Sequence, residues 1–375
     1  MKNIKYNYDL CVISFSDLKT DARSSNFIEF NRSNNLSVST ISISDKKVQY
    51  DSPNWICKIK PQTRFLFNYI KFIKFVFKIK KNIKSKVYYA SDLSSLILAN
   101  KIKSKDADVI YDSREIFSAL GPLSRNAFKQ KILTILEILS VRKIKDIVVS
   151  GEMDAKYLSE YFPTGHNYHI IKNLPNYRKI IKSDYFRQLY NIPNDKYILL
   201  YQGVLLEGRG IIPTLKFLKT TNKYVLVLIG DGLLKSEIKK IIKEDKLENK
   251  VYLHKQIPYN QLLNITSSAD IGLSLIEPIS FSYTLALPNK LFEYILAGLP
   301  VLVTNLPAMA NFVDQNKVGE VVQTDLSAEQ ISNKLALIIN NYNQYISNID
   351  DIKMEYTYET QANIIKYLLK NIYNE

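Results

Sequence analysis

The chain has 375 residues and carries 51 Lys and Arg against 36 Asp and Glu, which gives a formal net charge of +15 at pH 7. This length predicts two or three domains, and the 46% hydrophobic residues exclude a globally disordered chain. The two cysteines, Cys11 and Cys57, exclude a disulfide framework and indicate a reducing compartment. We see no signal-peptide pattern and no apolar run of about 18 residues, so we expect a cytoplasmic protein without a spanning helix. A chain this basic requires an anionic partner.

The first 150 residues alternate between short apolar runs and longer stretches with helical periodicity. Strands are predicted at 10–15, 36–43, 87–90, 109–111 and 147–149. Helices are predicted at 24–34, 62–82, 92–104 and 124–145. Buried strands that alternate with helices predict a parallel sheet covered on both faces.

One helical stretch, residues 64–86, contains eight basic residues and no acidic one, about half of the excess charge. Lys71, Lys74, Lys78 and Lys81 recur at spacings of three and four, which places them on one face of a helix. Apolar residues cover most of the remaining surface, as in helices that lie at the interface of an anionic membrane. The alternatives are a surface helix that packs on its own domain and, less favoured, a nucleic-acid-binding segment.

The second half repeats the same alternation after a less regular stretch, 169–196, which we interpret as an interdomain linker. Strands are predicted at 198–202, 224–229, 250–253, 270–275 and 300–304. Helices are predicted at 211–219, 233–245, 258–268 and 289–297, with a final helical segment at 356–373. The predicted architecture is α/β, with two Rossmann-like doubly wound halves that face each other across a cleft. Ligands bind such sheets at the carboxyl ends of the strands.

Glycine-bearing loops follow the first two strands of this second half. In YQGVLLEGRG, Gly203, Gly208 and Gly210 permit close approach of a ligand to the backbone, and the start of a helix favours an anion. Arg209 adds a permanent charge whose planar fork matches phosphate oxygens. The alternative is a tight turn with a solvated arginine. The sequence IGDG at 229–232 also ends a buried strand, but it is a weak signal by itself.

The strongest pattern is LALPNKLFEYILAGLPVLV, residues 285–303. We expect Asn289 to cap a helix that ends at Gly298. Lys290 lies in its first turn, where the helix dipole does not favour a cation. Glu293 lies among apolar neighbours, so its carboxylate requires a partner, which could be a pair of sugar hydroxyls. The alternatives are an ion pair with Lys290 or an exposed glutamate.

These patterns, in this order and spacing, resemble the retaining glycosyltransferases of family 4, which have the GT-B fold. The resemblance is firm over about residues 196–325. It is weaker in the first half, where FSDLKTDARSSNFIEF, VIYDSREIF and IIKNLPNY are similar to the acceptor-side loop, the central strand end and the start of the linker. It implies an acceptor-binding domain at 1–172, a nucleotide-sugar-binding domain at 173–355 and a helix at 356–375 that returns to the first domain.

The resemblance also implies roles for single residues. Glu293 is expected to accept hydrogen bonds from the ribose hydroxyls, and Arg209 to neutralise the donor diphosphate. The rest of the implied donor site comprises Gly203, Gly230, Asp231, His254, Gln256, Asn289, Lys290 and Leu291.

Two positions depart from the family pattern. Leu285 stands where a second glutamate is common, and Glu277 is the nearest carboxylate that could reach the donor sugar instead. Val204 stands where a second loop cation is common, and Lys290 is expected to replace it.

In the first half, Asp112, Arg114 and Glu115 end a buried strand, and we expect one of them to orient the acceptor hydroxyl or the transferred sugar. Asp17 and Arg23 are acceptor-side candidates as well, or else they form a structural salt bridge.

The implied reaction retains the configuration of the anomeric carbon without a covalent enzyme nucleophile, while Arg209 and Lys290 stabilise the phosphate charge. No metal or cofactor is expected. His166 and His169 lie three residues apart, but we interpret them as part of a solvated loop. The expected donor is a UDP- or GDP-sugar. The expected acceptor is a saccharide, lipid-linked, at the inner face of the membrane in surface polysaccharide or glycolipid assembly.

Three other classes of protein are alternatives. A nucleotide-sugar epimerase can share the GT-B fold, and a non-catalytic membrane-binding protein would also use the basic segment 64–86. A Rossmann dehydrogenase is disfavoured because the first strand leads into SDLKTDAR without a Gly-x-Gly-x-x-Gly turn.

Overall fold

A computed structural model describes residues 7–46, 48–60, 63–114, 116, 127–285 and 287–373. The chain divides into two compact units. Unit 1 comprises Met1–Asn173 and Tyr358–Glu375, and unit 2 comprises Leu174–Thr357. Glu115, one of the predicted site residues, lies outside the described residues.

Unit 1 is built on an eight-stranded sheet with the strand order β3-β4-β2-β1-β5-β6-β7-β8. The strands are β1 Tyr8–Ile13, β2 Val38–Ser44, β3 Gln49–Asp51, β4 Asn54–Lys58, β5 Ser85–Ala90, β6 Asp108–Asp112, β7 Asp146–Val149 and β8 Asn167–Ile170. All neighbouring strands are parallel except β3 and β4. The carboxyl ends of seven strands therefore meet at one edge of the sheet.

The helices of unit 1 follow its strands in βα order. They are α1 Ala22–Ser33, α2 Phe65–Ile79, α3 Leu93–Ile102, α4 Ala127–Val141 and α5 Glu152–Tyr161, and a 3₁₀ turn at Lys80–Asn82 extends α2. Asp21 and Asp92 cap α1 and α3 by accepting the backbone N–H groups of Ser24 and Ser95. The amino ends of α1 and α3 are therefore fixed by short polar side chains.

Unit 2 contains a six-stranded, all-parallel sheet with the order β11-β10-β9-β12-β13-β14. The strands are β9 Tyr197–Gln202, β10 Tyr224–Ile229, β11 Val251–His254, β12 Ile271–Ser274, β13 Val301–Thr304 and β14 Gly319–Val322. Every residue of β10 is buried, as expected for a strand covered on both faces.

Helices cover both faces of this sheet and enclose two apolar layers. They are α6 Tyr185–Tyr190, α7 Ile211–Leu218, α8 Lys235–Glu244, α9 Tyr259–Thr266, α10 Phe281–Thr284, α11 Asn289–Leu296, α12 Pro307–Asn316, α13 Ala328–Asn340 and α14 Tyr342–Ile352. The side chain of Tyr294 on α11 lies where a Cβ on Gly272 of β12 would stand, so α11 approaches the sheet closely.

The last residues belong to unit 1. A 3₁₀ turn at Tyr358–Gln361 leads into α15 Ala362–Leu368 and α16 Lys370–Tyr373. Ile365, Leu369 and Ile372 lie in the same core cluster as Phe27 and Tyr89. The final helical segment is therefore divided into short pieces instead of forming one helix.

The α/β fold with two Rossmann-like parallel sheets is confirmed, and all ten predicted strands are present within two residues of the expected bounds. Four strands, β3, β4, β8 and β14, were not predicted as such. The stretch interpreted as a linker contains the end of β8 and all of α6, so the linker prediction was too long. No helix in the described ranges combines the length and apolar character needed to cross a bilayer.

Candidate functional site

Two glycine loops at the carboxyl edge of the unit 2 sheet bind each other through their backbones. The Gly203 N–H donates to the Ile229 carbonyl at 3.0 Å, and the Leu205 N–H donates to the Asp231 carbonyl at 2.9 Å. Gly230 has φ +147°, and a Cβ there would collide with the carbonyl oxygen of Gly203. The loops after β9 and β10 are thus held at a distance that only glycine permits.

Glu277 lies in this loop region in an unexpected role. Its carboxylate accepts the N–H of Gly210 at 3.1 Å, and its own N–H donates to the carbonyl of Gly208 at 3.0 Å. Gly210 is the N-cap of α7 with φ +69°. Glu277, predicted at the donor sugar, therefore supports the loop that carries Arg209.

Two cations of the predicted site lie over aromatic rings. The Lys290 Nζ is 3.9 Å from the centroid of the Tyr201 ring, and the Arg209 Cζ is 4.4 Å from the centroid of the Tyr283 ring. The Lys290 Nζ is buried and has no hydrogen-bond partner among the described residues. Burial, aided by the positive charge of Arg209, lowers the pKa of Lys290 well below its usual value.

Glu293 is buried, with 8% of its surface exposed. Its carboxylate accepts a hydrogen bond from the side-chain amide of Gln202, whose oxygen in turn accepts from the Thr266 hydroxyl at 2.8 Å. Burial raises the pKa of Glu293 to about 7, although Gln202 and the nearby Lys290 oppose the rise. The exposed-glutamate alternative is wrong, and Gln202, not Lys290, is the hydrogen-bond partner.

The amino end of α11 differs in detail from the prediction. Pro288 is the N-cap residue in an extended conformation, α11 begins at Asn289, and no side chain caps the helix. Asn289 is therefore the first helical residue and not the cap, because Pro288 already supplies the extended backbone that a cap requires. The Leu291 side chain is fully buried in the core, so only its backbone can serve a ligand.

The other predicted donor-site residues have different surroundings. His254 is buried, its Nε2 lies 3.1 Å from the Tyr185 hydroxyl, and its Nδ1 lies 2.7 Å from the carbonyl of Lys255. Gln256 is exposed. Asp231 is exposed and accepts hydrogen bonds from Lys235 at 2.7 Å and from the Gly232 N–H at 2.8 Å.

Together these groups have the properties of an anion site. A buried ammonium without a partner, a guanidinium and a helix amino end lie at the carboxyl edge of one sheet. A buried carboxylate with a raised pKa lies one turn along the same helix as the ammonium. Phosphate oxygens suit the cations, and hydroxyl donors suit the carboxylate.

At the carboxyl edge of unit 1, buried charges pair with each other. Arg23 holds both oxygens of Asp112, at 2.7 Å and 2.9 Å, and donates to the carbonyl of Ile171 at 2.6 Å. Arg114 donates to Asp112 at 2.9 Å and to Asp21 at 2.7 Å. Burial opposes ionisation of Asp112, but the two guanidinium groups outweigh it and lower the pKa of Asp112.

This network changes the interpretation of the acceptor-side candidates. Asp112 is fully buried and both its oxygens are occupied, which favours a structural role over orientation of an acceptor hydroxyl. The salt bridge considered for Arg23 exists, with Asp112 as its partner. The Asp17 carboxylate accepts the Lys19 N–H at 3.0 Å. Arg114, a fifth exposed in its side chain, is the more accessible member of the network.

Sequence reasoning missed Gln202 and Tyr294. The Tyr294 hydroxyl accepts the Gln202 N–H at 3.0 Å and donates to the Leu200 carbonyl at 3.1 Å, which fixes the end of β9 beside Glu293. The available signal was that Gln202 is the polar end of the apolar run YILLYQ.

His169 lies in β8 and not in a loop, whereas His166 lies in the loop before β8 and is partly buried. The His166 Nδ1 lies 2.7 Å from the Ile144 carbonyl, and the His169 Nε2 lies 2.8 Å from Asp146. In the part of the chain that the structure describes, no three His, Cys, Asp or Glu side chains form a group that could hold a metal ion.

Residues 182–351 match the family model described as "Glycosyl transferases group 1". An uncharacterized glycosyltransferase of Methanocaldococcus jannaschii is 27% identical over 195 residues, 48% of this chain and 45% of the relative. The O-antigen biosynthesis glycosyltransferase WclY of Escherichia coli is 25% identical over 130 residues, 35% of each chain. The alignments thus span less than half the length of these relatives.

Solved structures resemble the whole chain. A sucrose-phosphate synthase from Thermosynechococcus elongatus has a TM-score of 0.82 at 14% identity, covering 98% of this chain and 100% of that protein. Anabaena HepE, solved in complex with UDP-glucose, has a TM-score of 0.73 at 13% identity, covering 97% of this chain and 100% of that protein. At such identities the likeness establishes the fold.

Proposed function

We propose that this chain, which has the GT-B fold and whose residues 182–351 form a glycosyl transferases group 1 domain, moves a sugar from a nucleotide-sugar to a saccharide acceptor with retention of configuration. The observation that carries the proposal is the buried set Lys290, Glu293 and Gln202 at the carboxyl edge of the unit 2 sheet, with Arg209 beside it. These side chains offer two cations to a diphosphate and one carboxylate to a ribose.

The donor would replace interactions that the site now makes with itself. The ribose hydroxyls would donate to Glu293, whose carboxylate is now held by Gln202. Lys290 and Arg209 would leave the ring faces of Tyr201 and Tyr283 and bind the diphosphate. Free N–H groups at the start of α11 would bind phosphate oxygens as well. Anabaena HepE, solved with UDP-glucose, supports a UDP-sugar as the first donor to test.

In the proposed reaction the acceptor hydroxyl attacks the anomeric carbon on the face from which the diphosphate leaves. The bond from this carbon to the acceptor oxygen forms while its bond to the phosphate oxygen breaks, and the leaving diphosphate takes the hydroxyl proton. Lys290 and Arg209 stabilise the developing phosphate charge. Because these two cations already face the diphosphate, we expect transfer without a divalent metal.

We place the acceptor with unit 1 and expect it to be lipid-linked. The O-antigen role of the relative WclY supports a polysaccharide acceptor. The surface of α2 supports a lipid partner: Phe65, Leu66 and Phe67 are 65%, 62% and 61% exposed. Phe72 and Val76 of the same helix are buried, so α2 packs on its own unit with one stripe, while its amino end leaves large apolar side chains in solvent.

A second helix extends this exposed surface. On α4, five large apolar side chains spaced for one helical face are at least 40% exposed: Phe128, Ile132, Ile135, Leu136 and Leu139. The polar side of α4 is the buried one, since the Tyr111 hydroxyl donates to the buried Glu137 at 2.6 Å. A helix oriented in this way is typical of a surface that another apolar phase covers.

Helix α3 connects the two exposed helices. The Tyr69 hydroxyl of α2 donates to the Ser94 carbonyl at 3.0 Å, and the Asn100 amide of α3 donates to the Ser140 carbonyl of α4 at 3.0 Å. The apolar residues of α2 and α4 therefore belong to one layer of helices. With the exposed lysines of α2, this layer fits the interface of an anionic bilayer, and we propose that the protein binds there peripherally.

The transfer proposal is tested by offering UDP- and GDP-sugars and following nucleotide release with and without membrane lipid extract. Release that depends on the extract supports transfer to a lipid-linked acceptor. Isomerised donor without nucleotide release would identify an epimerase, and binding of vesicles without any donor turnover would identify a non-catalytic membrane protein. A Glu293→Ala protein that binds and uses the donor normally would remove the ribose assignment.

The membrane proposal is tested separately by sedimentation with anionic vesicles. Lys74→Glu with Lys78→Glu should weaken binding by at least about 2 kcal/mol, roughly 30-fold, because each lysine near such a surface contributes about 1 kcal/mol. Lys239→Glu with Lys243→Glu on α8 changes the net charge equally, at the same spacing, and should leave binding unchanged. Equal sedimentation of both variants would contradict the proposal.

A further inference from the structure

Unit 1 contains a cavity of about 180 Å³ at the edge of its sheet opposite the Arg23–Asp112 network. It lies at the amino ends of three neighbouring strands, where Asp108, Asp146 and Asn167 begin β6, β7 and β8. The residues of α15 and α16 complete its wall. A single buried water requires only about 15 Å³, so the cavity has room for a larger ligand.

The wall of this cavity contains more lysines than carboxylates. Four lysines line it: Lys103, Lys143, Lys145 and Lys370. The two carboxylates of the wall are already engaged, since Asp146 is bound by His169 at 2.8 Å and by Asn167 at 3.1 Å, and Asp108 is bound by Asn371 at 3.2 Å. Hydrogen bonds from neutral amides do not remove the charge of these two carboxylates, but the four lysines still leave an excess of positive charge on the wall.

The lysines themselves are poorly paired. Lys103 donates to the carbonyl of Ala107 at 2.7 Å, which is a neutral partner. The Nζ of Lys370 lies 4.7 Å from the centroid of the Tyr367 ring. Neither Lys143 nor Lys145 forms an ion pair within 4.0 Å in the described part of the chain, although Asp146 attracts Lys145 at longer range. Several positive charges around one concave space concentrate anions there.

We propose that this cavity binds a small phosphate ester, with Lys143, Lys145 and Lys370 around the phosphate and the exposed ring of Tyr367 against the carbon portion. Lysine serves phosphate as a point charge and needs no planar fork, which suits a wall made of flexible side chains. The site does not rest on the proposed function of unit 2. It holds whether or not the chain transfers a sugar.

The first experiment uses the unaltered protein and inorganic phosphate as the probe. Lysines are acetylated with a water-soluble reagent, and the modification of each is measured by mass spectrometry at increasing phosphate. Lys143, Lys145 and Lys370 should become at least threefold less reactive in a saturable way, while the exposed Lys46 and Lys58 should not. Equal loss of reactivity at all five would mean that phosphate acts as a general salt and would overturn the proposal.

The second experiment measures phosphate binding by equilibrium dialysis at low ionic strength. Lys143→Glu with Lys370→Glu should weaken binding at least tenfold. Lys46→Glu with Lys58→Glu, which changes the net charge equally, should not. Circular dichroism of both variants shows whether they are folded.

Two further arms separate this cavity from other phosphate sources. Arg209→Ala should leave phosphate protection of Lys143 and Lys370 unchanged, and loss of that protection would place the phosphate in unit 2 instead. Phosphatidylglycerol vesicles should not protect these lysines in the absence of free phosphate. Protection by vesicles alone would assign the cavity to a lipid headgroup and overturn a soluble ligand.

Discussion

Replacement of Glu293 by glutamine should stabilise the protein and weaken nucleotide binding at the same time. The substitution preserves the size of the side chain and an acceptor for Gln202, but it removes the negative charge. If Glu293 served only the fold, altering its charge and its hydrogen bond would lower the stability of the protein. The opposite signs of the two effects therefore identify a residue retained for a ligand.

The stability gain follows from the pKa of Glu293, which burial raises from the ordinary 4.5 to about 7. Between these two pH values the folded protein keeps a proton that the unfolded chain releases, so wild-type stability falls as pH rises through this window. Each pKa unit corresponds to about 1.4 kcal/mol, so the loss approaches about 3 kcal/mol above pH 7. The variant with the uncharged glutamine avoids this loss of stability.

The loss of affinity follows from the charge of the acceptor. Hydrogen bonds to a charged group contribute about 1.5–3 kcal/mol, against about 0.5–1.5 kcal/mol for neutral pairs. If two ribose hydroxyls donate to Glu293, the glutamine variant loses about 2–3 kcal/mol, roughly 30- to 150-fold in Kd. Titration calorimetry with UDP at pH 8.5 measures this loss.

Stability should be measured by urea unfolding at pH 4.5 and pH 8.5. Trp55 is the single tryptophan and lies in unit 1, so its fluorescence reports unit 1, and unit 2 is followed as the part of the far-UV circular dichroism change that the fluorescence does not share. Glu320→Gln is a matched control. Glu320 accepts hydrogen bonds from Lys334 at 2.8 Å and from the Tyr345 hydroxyl at 2.6 Å, and it is not one of the site residues. The control should lose stability slightly and bind UDP normally.

The gain in the free energy of unfolding of the Glu293→Gln variant should be below about 0.5 kcal/mol at pH 4.5 and about 3 kcal/mol at pH 8.5. A stability gain that does not grow with pH would refute the raised pKa of the buried Glu293 carboxylate. An unchanged affinity for UDP, together with the expected gain in stability, would refute the contact between Glu293 and the ribose. The raised pKa of Glu293 would still stand.

Three more substitutions test other parts of the site. Gly230→Ala should destabilise unit 2 by several kcal/mol in urea, because its Cβ would collide with a backbone carbonyl, whereas Gly298→Ala at φ +79° with open space around it should cost only about 1 kcal/mol. Asp112→Asn should lower the stability of unit 1, followed by Trp55 fluorescence, by about 3–5 kcal/mol, because the buried guanidinium of Arg23 loses its counter-charge while Arg114 keeps Asp21, and should leave UDP affinity unchanged. Lys290→Met should weaken UDP binding at least tenfold yet raise resistance to urea at pH 7, since burial lowers the pKa of this lysine.

Local chemistry made much of the donor site predictable. The glycines of YQGVLLEGRG and IGDG, and a glutamate inside an apolar helix, are signals carried by adjacent residues, and they led to Arg209, Gly230 and Glu293. Most of the ten predicted strands were found for the same reason, since they are short apolar runs, while the strand at 36–43, LSVSTISI, shows the alternation of a strand. The strands that were missed, such as β8 with the sequence NYHI and one exposed end residue, lack that run.

Contacts between distant parts of the chain could not be predicted in this way. Gln202 meets Glu293 across 91 positions, and Arg23 meets Asp112 across 89. Both pairs depend on the order of strands in a sheet, which a periodic pattern does not specify. The same limitation explains why Asp112, at the end of a buried strand, was interpreted as a residue that faces a substrate when it is enclosed by two arginines.

The Arg23–Asp112 network of unit 1 and the pair Lys290 and Glu293 of unit 2 differ in how their buried charges are balanced, and this contrast bears on what unit 2 binds. In unit 1 the charges of Arg23, Arg114, Asp112 and Asp21 neutralise one another, and the pKa of Asp21 falls to about 2 because Arg114 and hydrogen bonds outweigh its burial. In unit 2 burial shifts Lys290 and Glu293 towards their neutral forms because neither has an opposite charge in direct contact. A buried charge without a partner is costly unless a ligand completes it. The unpaired charges at the edge of unit 2 therefore support the proposal that a diphosphate binds there.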